Sequence, residues 1–309
     1  MATTTKQRVD AYQAITDRIV SALETGTVPW QRPWRNVAGV GPTSMSSRKE
    51  YRGINWWMLS ITAMAESYQS MHWGTYNQIR ELGGQVRKGE HGTQVVLWKP
   101  VTKKKEKDDD KTESYLVIKL FNVFNADQAD WPEGSKRPVE AETPEVLWNP
   151  LNKAEGIANG MPSRPEVKHG GNRAFYSPLL DYIGMPPRDA FDYADGYYST
   201  LFHEMVHSTG HKSRVGRDGI EAMDGFGSEK YSREELIAEM GAAYLCSEAG
   251  VPPRIDQSAA YIASWLKALR DDKKMVVQAA SQAQKATDFI LDTLQKTTPS
   301  KREVGDVTG

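Results

Sequence analysis

Residues 203–211 read His203-Glu204-Met205-Val206-His207-Ser208-Thr209-Gly210-His211. Two histidines four apart on a helix lie one turn apart on the same face, so their ring nitrogens can close on one metal ion. A glutamate directly after the first histidine can reach a water held by that ion. The stretch therefore predicts a helix, opened by Ser199 or a residue just before it and stopped by Gly210, that presents His203 and His207 as ligands and Glu204 as a general base. Neutral imidazoles at about 2.0–2.1 Å suit Zn²⁺, and a hydrolytic site needs one more protein ligand and an open position for water.

That third ligand lies elsewhere in the chain. If the helix continued, His211 would sit ~12 Å from His203 along the axis, too far to share a tetrahedral ion. If Gly210 breaks the helix, His211 can swing back, so it stays an alternative. The metzincin pattern would put its third histidine at Ser213, from which this sequence departs. A second helix is expected from Ser232-Arg233-Glu234-Glu235, which has capping-box spacing, to Gly250. Its apolar stripe is Leu236, Met240, Ala243 and Tyr244, and Glu239 borders that stripe. A mid-helix carboxylate beside an apolar face is costly unless a cation offsets it. Glu239 is thus the expected third ligand, with Glu235 assigned to the cap and Glu234 to solvent. Glu204 would then relay a proton from water to a leaving amine, which is metal-assisted amide hydrolysis.

Outward from this site, 309 residues suffice for two domains, each with a core. The single cysteine, Cys246, cannot form an internal bridge, and no stretch reads as a membrane span or a signal peptide, so a reducing cytoplasmic setting without membrane contact is expected. Residues 1–130 carry 18 Lys+Arg against 14 Asp+Glu, a net +4, and the remainder 21 against 26, a net −5. Seven of the nine tryptophans precede residue 132. Between the two compositions, 131–150 is rich in Pro and Glu without an apolar period, as in a linker. The chain thus divides into an α+β domain over 1–130, a linker over 131–150, a metal-bearing domain over 151–296 and a polar, frayed tail over 297–309.

In the first half, apolar spacing predicts helices over Thr5–Glu24 and Asn55–Ser67 and strands over Gln94–Pro100 and Ser114–Val123. The charge run 103–111 between the strands reads as a hairpin loop. From Trp30 to Trp57, rings alternate with cations: Trp30, Arg32, Trp34, Arg35, Arg48, Lys49, Tyr51, Arg52, Trp56 and Trp57. Stacking rings and phosphate-tracking cations hold single-stranded nucleic acid. The competing reading is that these tryptophans fill a core. The run Gly83–Gly92 offers bare amides beside Arg87 and Lys88 for a phosphate, or a pair of tight turns. Arg173–Ser177 and Asp181–Met185 read as short strands, one of which could form an edge for a substrate peptide.

A series of segments sharpens these readings: Ile15 to Gly26 with Pro29-Trp30, Tyr51-Arg52-Gly53-Ile54-Asn55, Trp73-Gly74-Thr75-Tyr76, Val86 to Glu90, Tyr176-Ser177-Pro178, Phe202 to His211 and Glu235 to Ala243. Together they resemble the ArdC-type antirestriction proteins of conjugative plasmids, whose first domain is shared with plasmid DNA primases. The resemblance implies a two-domain α+β protein with an N-terminal domain that binds single-stranded DNA and a C-terminal zincin-like metallopeptidase domain. The candidate DNA contacts are Trp30, Arg32, Trp34, Arg35, Tyr51, Arg52 and Lys88. It also resembles zincins that place a glutamate ligand on the helix after the histidines, here Glu239. The implied role is protection of incoming DNA from host restriction, with an unidentified protein as substrate. The alternative is a DNA-shielding module whose metal site is only structural.

Overall fold

The structure, a computed structural model, describes residues 10–24, 28, 41–105, 108–139, 150–217, 220, 229–252 and 259–292. The first half opens with α1 (Ala11–Glu24), which buries Ile15, Ile19 and Leu23 at helical spacing. After β1 (Thr43–Ser44) comes α2 (Ile54–Ala65), apolar around its whole circumference and therefore buried on both sides. Then follow β2 (His72–Gly74), α3 (Tyr76–Glu81), β3 (Gln85–Val86), β4 (Thr93–Lys105), β5 (Asp108–Asn125) and β6 (Ala129–Asp130). Thr75 and Gln78 close a reciprocal capping box at the start of α3.

The main sheet has the order β1-β2-β5-β4, with β1 and β2 parallel and the other pairs antiparallel; β3 and β6 pair separately. Here the strands outrun the expected loop. The β4–β5 ladder continues through Lys103↔Glu113 and Lys104↔Thr112 to a shifted pair, Lys105↔Asp108, so most of the charge run is strand. Backbone pairing needs no apolar side chain, which is why a hydrophobicity pattern stops short of it.

The second half comprises α4 (Pro150–Gly160), β7 (Glu166–His169), β8 (Phe175–Ser177), β9 (Tyr182–Met185), α5 (Ala194–Ser208), α6 (Glu229–Ala249), α7 (Ala259–Asp271) and α8 (Met275–Ile290). A three-stranded sheet of order β7-β9-β8 leaves β8 at one edge, and α5 packs beneath β8 and β9. α5 starts five residues before Ser199, which lies fully buried inside it. α6 likewise starts before Ser232. That serine makes a 2.6 Å hydroxyl contact with Ser264 of α7 instead of a cap, so a tertiary contact overrides the local capping pattern.

The two halves share one apolar core. Ile15 and Ile19 of α1 and Trp56, Trp57 and Ile61 of α2 join a single cluster with Phe202, Leu236, Tyr244, Trp265 and Val276. Tyr244 of α6 is the junction: its ring centroid lies 4.8 Å from that of Trp56 and 5.1 Å from that of Trp57, and its hydroxyl donates to Gly53 O at 2.9 Å. No helix among the described residues is long and apolar enough to cross a membrane.

Candidate metal centre

α5 and α6 cross where Gly241 meets Val206, and this close approach brings their acidic and imidazole side chains together. His203 and His207 share a face of α5, with their Nε2 atoms 3.0 Å apart. From α6, Glu235 reaches both rings: Oε2 lies 3.5 Å from His203 Nε2 and Oε1 3.6 Å from His207 Nε2. Ligands about 2.0–2.1 Å from a tetrahedral ion are themselves roughly 3.3 Å apart, so these three groups fit one ion. Among the described residues they are the group whose ligand atoms all lie within 4.8 Å of one another. Glu204, between the histidines, is buried at 7% exposure.

Glu239, expected as the third ligand, faces the other side of the site: its Oε1 lies 3.7 Å from His203 Nδ1, behind the nitrogen that points at Glu235. Glu234, expected in solvent, is 3% exposed and places Oε1 3.2 Å from His207 Nδ1. The His207 imidazole thus has a hydrogen-bonded carboxylate behind it, which orients its Nε2 lone pair toward the shared point, whereas Glu239 stands behind His203 at ion-pair distance only. The physical reason for the exchange is the start of α6. Because the helix begins at Glu229, Glu235 is an interior residue, one turn from Glu239 on the same face, and is not spent on a cap. The signal in the sequence is the matching pair of four-residue spacings, His203/His207 and Glu235/Glu239. His211 turns away, its Nδ1 2.7 Å from Ser213 Oγ.

The electrostatics suit a cation. Burial alone would push the His203 imidazolium down, but Glu235, Glu239 and Glu204 outweigh it and raise the group to about 10. Burial likewise pushes the Glu235 carboxyl up, and His203 and His207 outweigh it to bring it to about 2. Burial opposes ionisation of Glu234 too, yet His207 and Arg217 hold it below the usual carboxylate range. The proton on His203 and a metal ion compete for one lone pair in a surround of carboxylates.

Of the expected DNA contacts, Trp30, Arg32, Trp34 and Arg35 lie outside the described residues. Tyr51 is half-buried against the cluster of Leu59, Met71 and Trp73, and Arg52 is exposed and paired with Asp288. Lys88 is exposed in the turn after β3. Trp56, Trp57 and Trp73 are 4%, 0% and 0% exposed, so for these three rings the core reading wins. Trp98 and Phe121, each 40% exposed on the β4–β5 hairpin, and Tyr76, 41% exposed, are accessible rings of the first half that the interleaving pattern passed over. In the glycine-rich run, Arg87 is committed to Glu90 and to Asp127 O, as a structural turn requires.

The buried histidine–carboxylate set on two crossed helices defines a zincin-like class, and residues 154–282 match the family model of zincin-like metallopeptidases. Residues 9–124 match that of the N-terminal domain of anti-restriction factor ArdC. The whole chain is similar to crystal structures of the antirestriction ArdC protein from plasmid R388, at 40% identity over 94% of this chain. The metal-free structure is covered to 99% with a TM-score of 0.75, and the Mn(II)-bound structure to 100% with a TM-score of 0.73. An uncharacterized protein of Sinorhizobium fredii, y4eC, is 36% identical over 91% of both chains. Two Escherichia coli DNA primases TraC are 35% and 36% identical over 92% of this chain, which spans only 27% and 20% of their lengths. The chain belongs to the ArdC antirestriction family, and its zincin-like domain, together with the Mn(II)-bound relative, indicates a divalent metal, for which His203, His207 and Glu235 could supply the ligands.

Proposed function

We propose that this protein protects incoming DNA from host restriction, binding it as a single strand through its first half and carrying a zinc-dependent peptidase centre in its second. The observation that carries the peptidase part is the convergence of His203 Nε2, His207 Nε2 and a Glu235 carboxylate oxygen, with Glu204 beside them on α5. A divalent ion held there supplies Lewis-acid activation of water. Glu204 takes the proton of the attacking water and returns it to the leaving amine nitrogen. Glu234 holds the His207 ring in place from behind, and Glu239 adds negative charge beside His203. The edge strand β8, packed on α5, offers its free side to an extended substrate peptide. For the DNA part, the family match over 9–124 and the cations Arg52 and Lys88 at the surface support contact with phosphates.

One variant separates this reading from a shielding protein with a structural metal. Glu204→Ala leaves the ligands and the DNA face intact, so it should retain metal and oligonucleotide binding and lose peptide cleavage and restriction protection together. Full protection by Glu204→Ala in a conjugation assay against a restricting host would refute the peptidase role. Salt-insensitive oligonucleotide binding would refute the phosphate contacts.

A further inference from the structure

Arg217 enters the centre from a side that no ligand uses. After α5 the chain folds back on itself, with Val215 N donating to Thr209 O at 3.0 Å and Arg217 N to Gly210 O at 2.8 Å. Gly210 makes the turn possible through space, not through its φ: a β-carbon there would lie 2.2 Å from Ile220 Cγ1 and 3.2 Å from Arg217 Nη2. The guanidinium, 6% exposed, is thereby inserted between the end of α5 and the start of α6. Its Nε and Nη2 fork onto Glu234 Oε2 and Oε1 at 3.0 and 2.5 Å. Nη1 donates to Thr209 Oγ1 at 2.6 Å, and Nη2 also to Val206 O at 2.8 Å. Glu234 Oε1, so held, lies 3.2 Å from His207 Nδ1.

We propose that Arg217 is a positioning residue for the metal centre: by locking Glu234, it fixes His207 with Nδ1–H donated to that carboxylate and the Nε2 lone pair aimed at the point shared with His203 and Glu235. The inference rests on the metal-centre reading above. A bidentate guanidinium suits the task because it fixes the carboxylate plane as well as its place, which a lysine ammonium cannot do. The orientation matters because an imidazole free to rotate or to change tautomer offers its lone pair only part of the time. Loss of such an outer partner costs about 10- to 100-fold in metal affinity.

The test is competition of the full-length protein with a fluorescent chelator for Mn(II) and Zn(II), alongside thermal unfolding without metal. Arg217→Met should weaken affinity about 10- to 100-fold, and Arg217→Lys should recover only part of it. Glu234→Gln should weaken affinity similarly. Combining Arg217→Met with Glu234→Gln should cost no more than about twofold beyond the worse single variant, because both act through one imidazole. If Arg217→Met lowers thermal stability but the folded protein binds with wild-type affinity, or if the two losses multiply, the positioning role is overturned. If Arg217→Met does not fold, Glu234→Gln with wild-type affinity overturns it equally. Failure of a different kind is distinguishable: wild type that takes up neither metal, or His207→Ala that binds as wild type does, removes the metal centre itself.

Discussion

Gly241 of α6 faces Val206 of α5 with no room for a side chain: a β-carbon would sit 2.7 and 2.8 Å from the two γ-methyls of the valine. Alanine would gain up to about 1 kcal/mol of helix propensity over glycine, but overpacking a buried, β-branched neighbour costs about 1–3 kcal/mol, so the clash wins. Gly241→Ala should therefore lower stability by about 1–2 kcal/mol in urea unfolding. It should also weaken metal binding, because prising α6 from α5 carries Glu235 away from both imidazoles. An alanine variant as stable and as metal-avid as wild type would show that the helix contact does not set the site.

Tyr244 predicts how the molecule unfolds. Its hydroxyl bond to Gly53 O is worth about 0.5–1.5 kcal/mol, the expected loss in Tyr244→Phe. Tyr244→Ala removes a buried ring packed against two indoles and should cost about 3–5 kcal/mol. Because that ring belongs to the core of both halves, tryptophan fluorescence and far-UV circular dichroism should report one coincident transition. Two separate transitions, of which Tyr244→Ala moves only one, would contradict the shared core.

Asp181 gives a pH signature. Its carboxyl lies below the ordinary 3.8, chiefly through its bond to Arg214, whose side chain is 1% exposed. A lowered carboxyl contributes stability above its ordinary value and loses it as pH falls through the lowered one. The stability gap between wild type and Asp181→Asn should then be constant at neutral pH and vanish on acidification below pH 3.8. Asp181 is itself 36% exposed, so solvent screening holds the gap to about 1 kcal/mol. A gap that persists unchanged in acid would argue against the ion pair.

Cys246 should be chemically silent. It is buried, and desolvation pushes its thiol up to about 12. Thiol reagents at neutral pH should label the folded protein far more slowly than the protein in denaturant, since the thiolate is the reacting species. Rapid native labelling would mean that α6 opens locally around the residue.

What the sequence disclosed follows the range of the interactions involved. His203, Glu204 and His207 were legible because their geometry is set by helical periodicity alone. Glu235 was not, because Ser232 and Glu235 satisfy a local capping pattern that the hydroxyl contact of Ser232 with Ser264, across two helices, displaces. Glu239 was singled out as the third ligand from its place beside the apolar stripe, but that it comes 3.7 Å from Nδ1 of His203 depends on how α6 sits against α5. Trp56 and Trp57 carry the same letters whether they stack on bases or fill a core, and only the arrival of Tyr244 decides it. Arg217 left no pattern at all, since its role comes from a turn held by backbone bonds.

The core that joins α1 and α2 to α6 and α8 also says what can be moved between proteins. Severing the chain within 131–150 and grafting the metal-bearing part onto another scaffold would strand Trp57 and Ile19 in water and bare the back of α6, at about 25 cal/mol for each Å² uncovered. The transferable cassette is the pair of halves together, and the match to the much longer TraC primases covers 92% of this chain, so it takes in both halves.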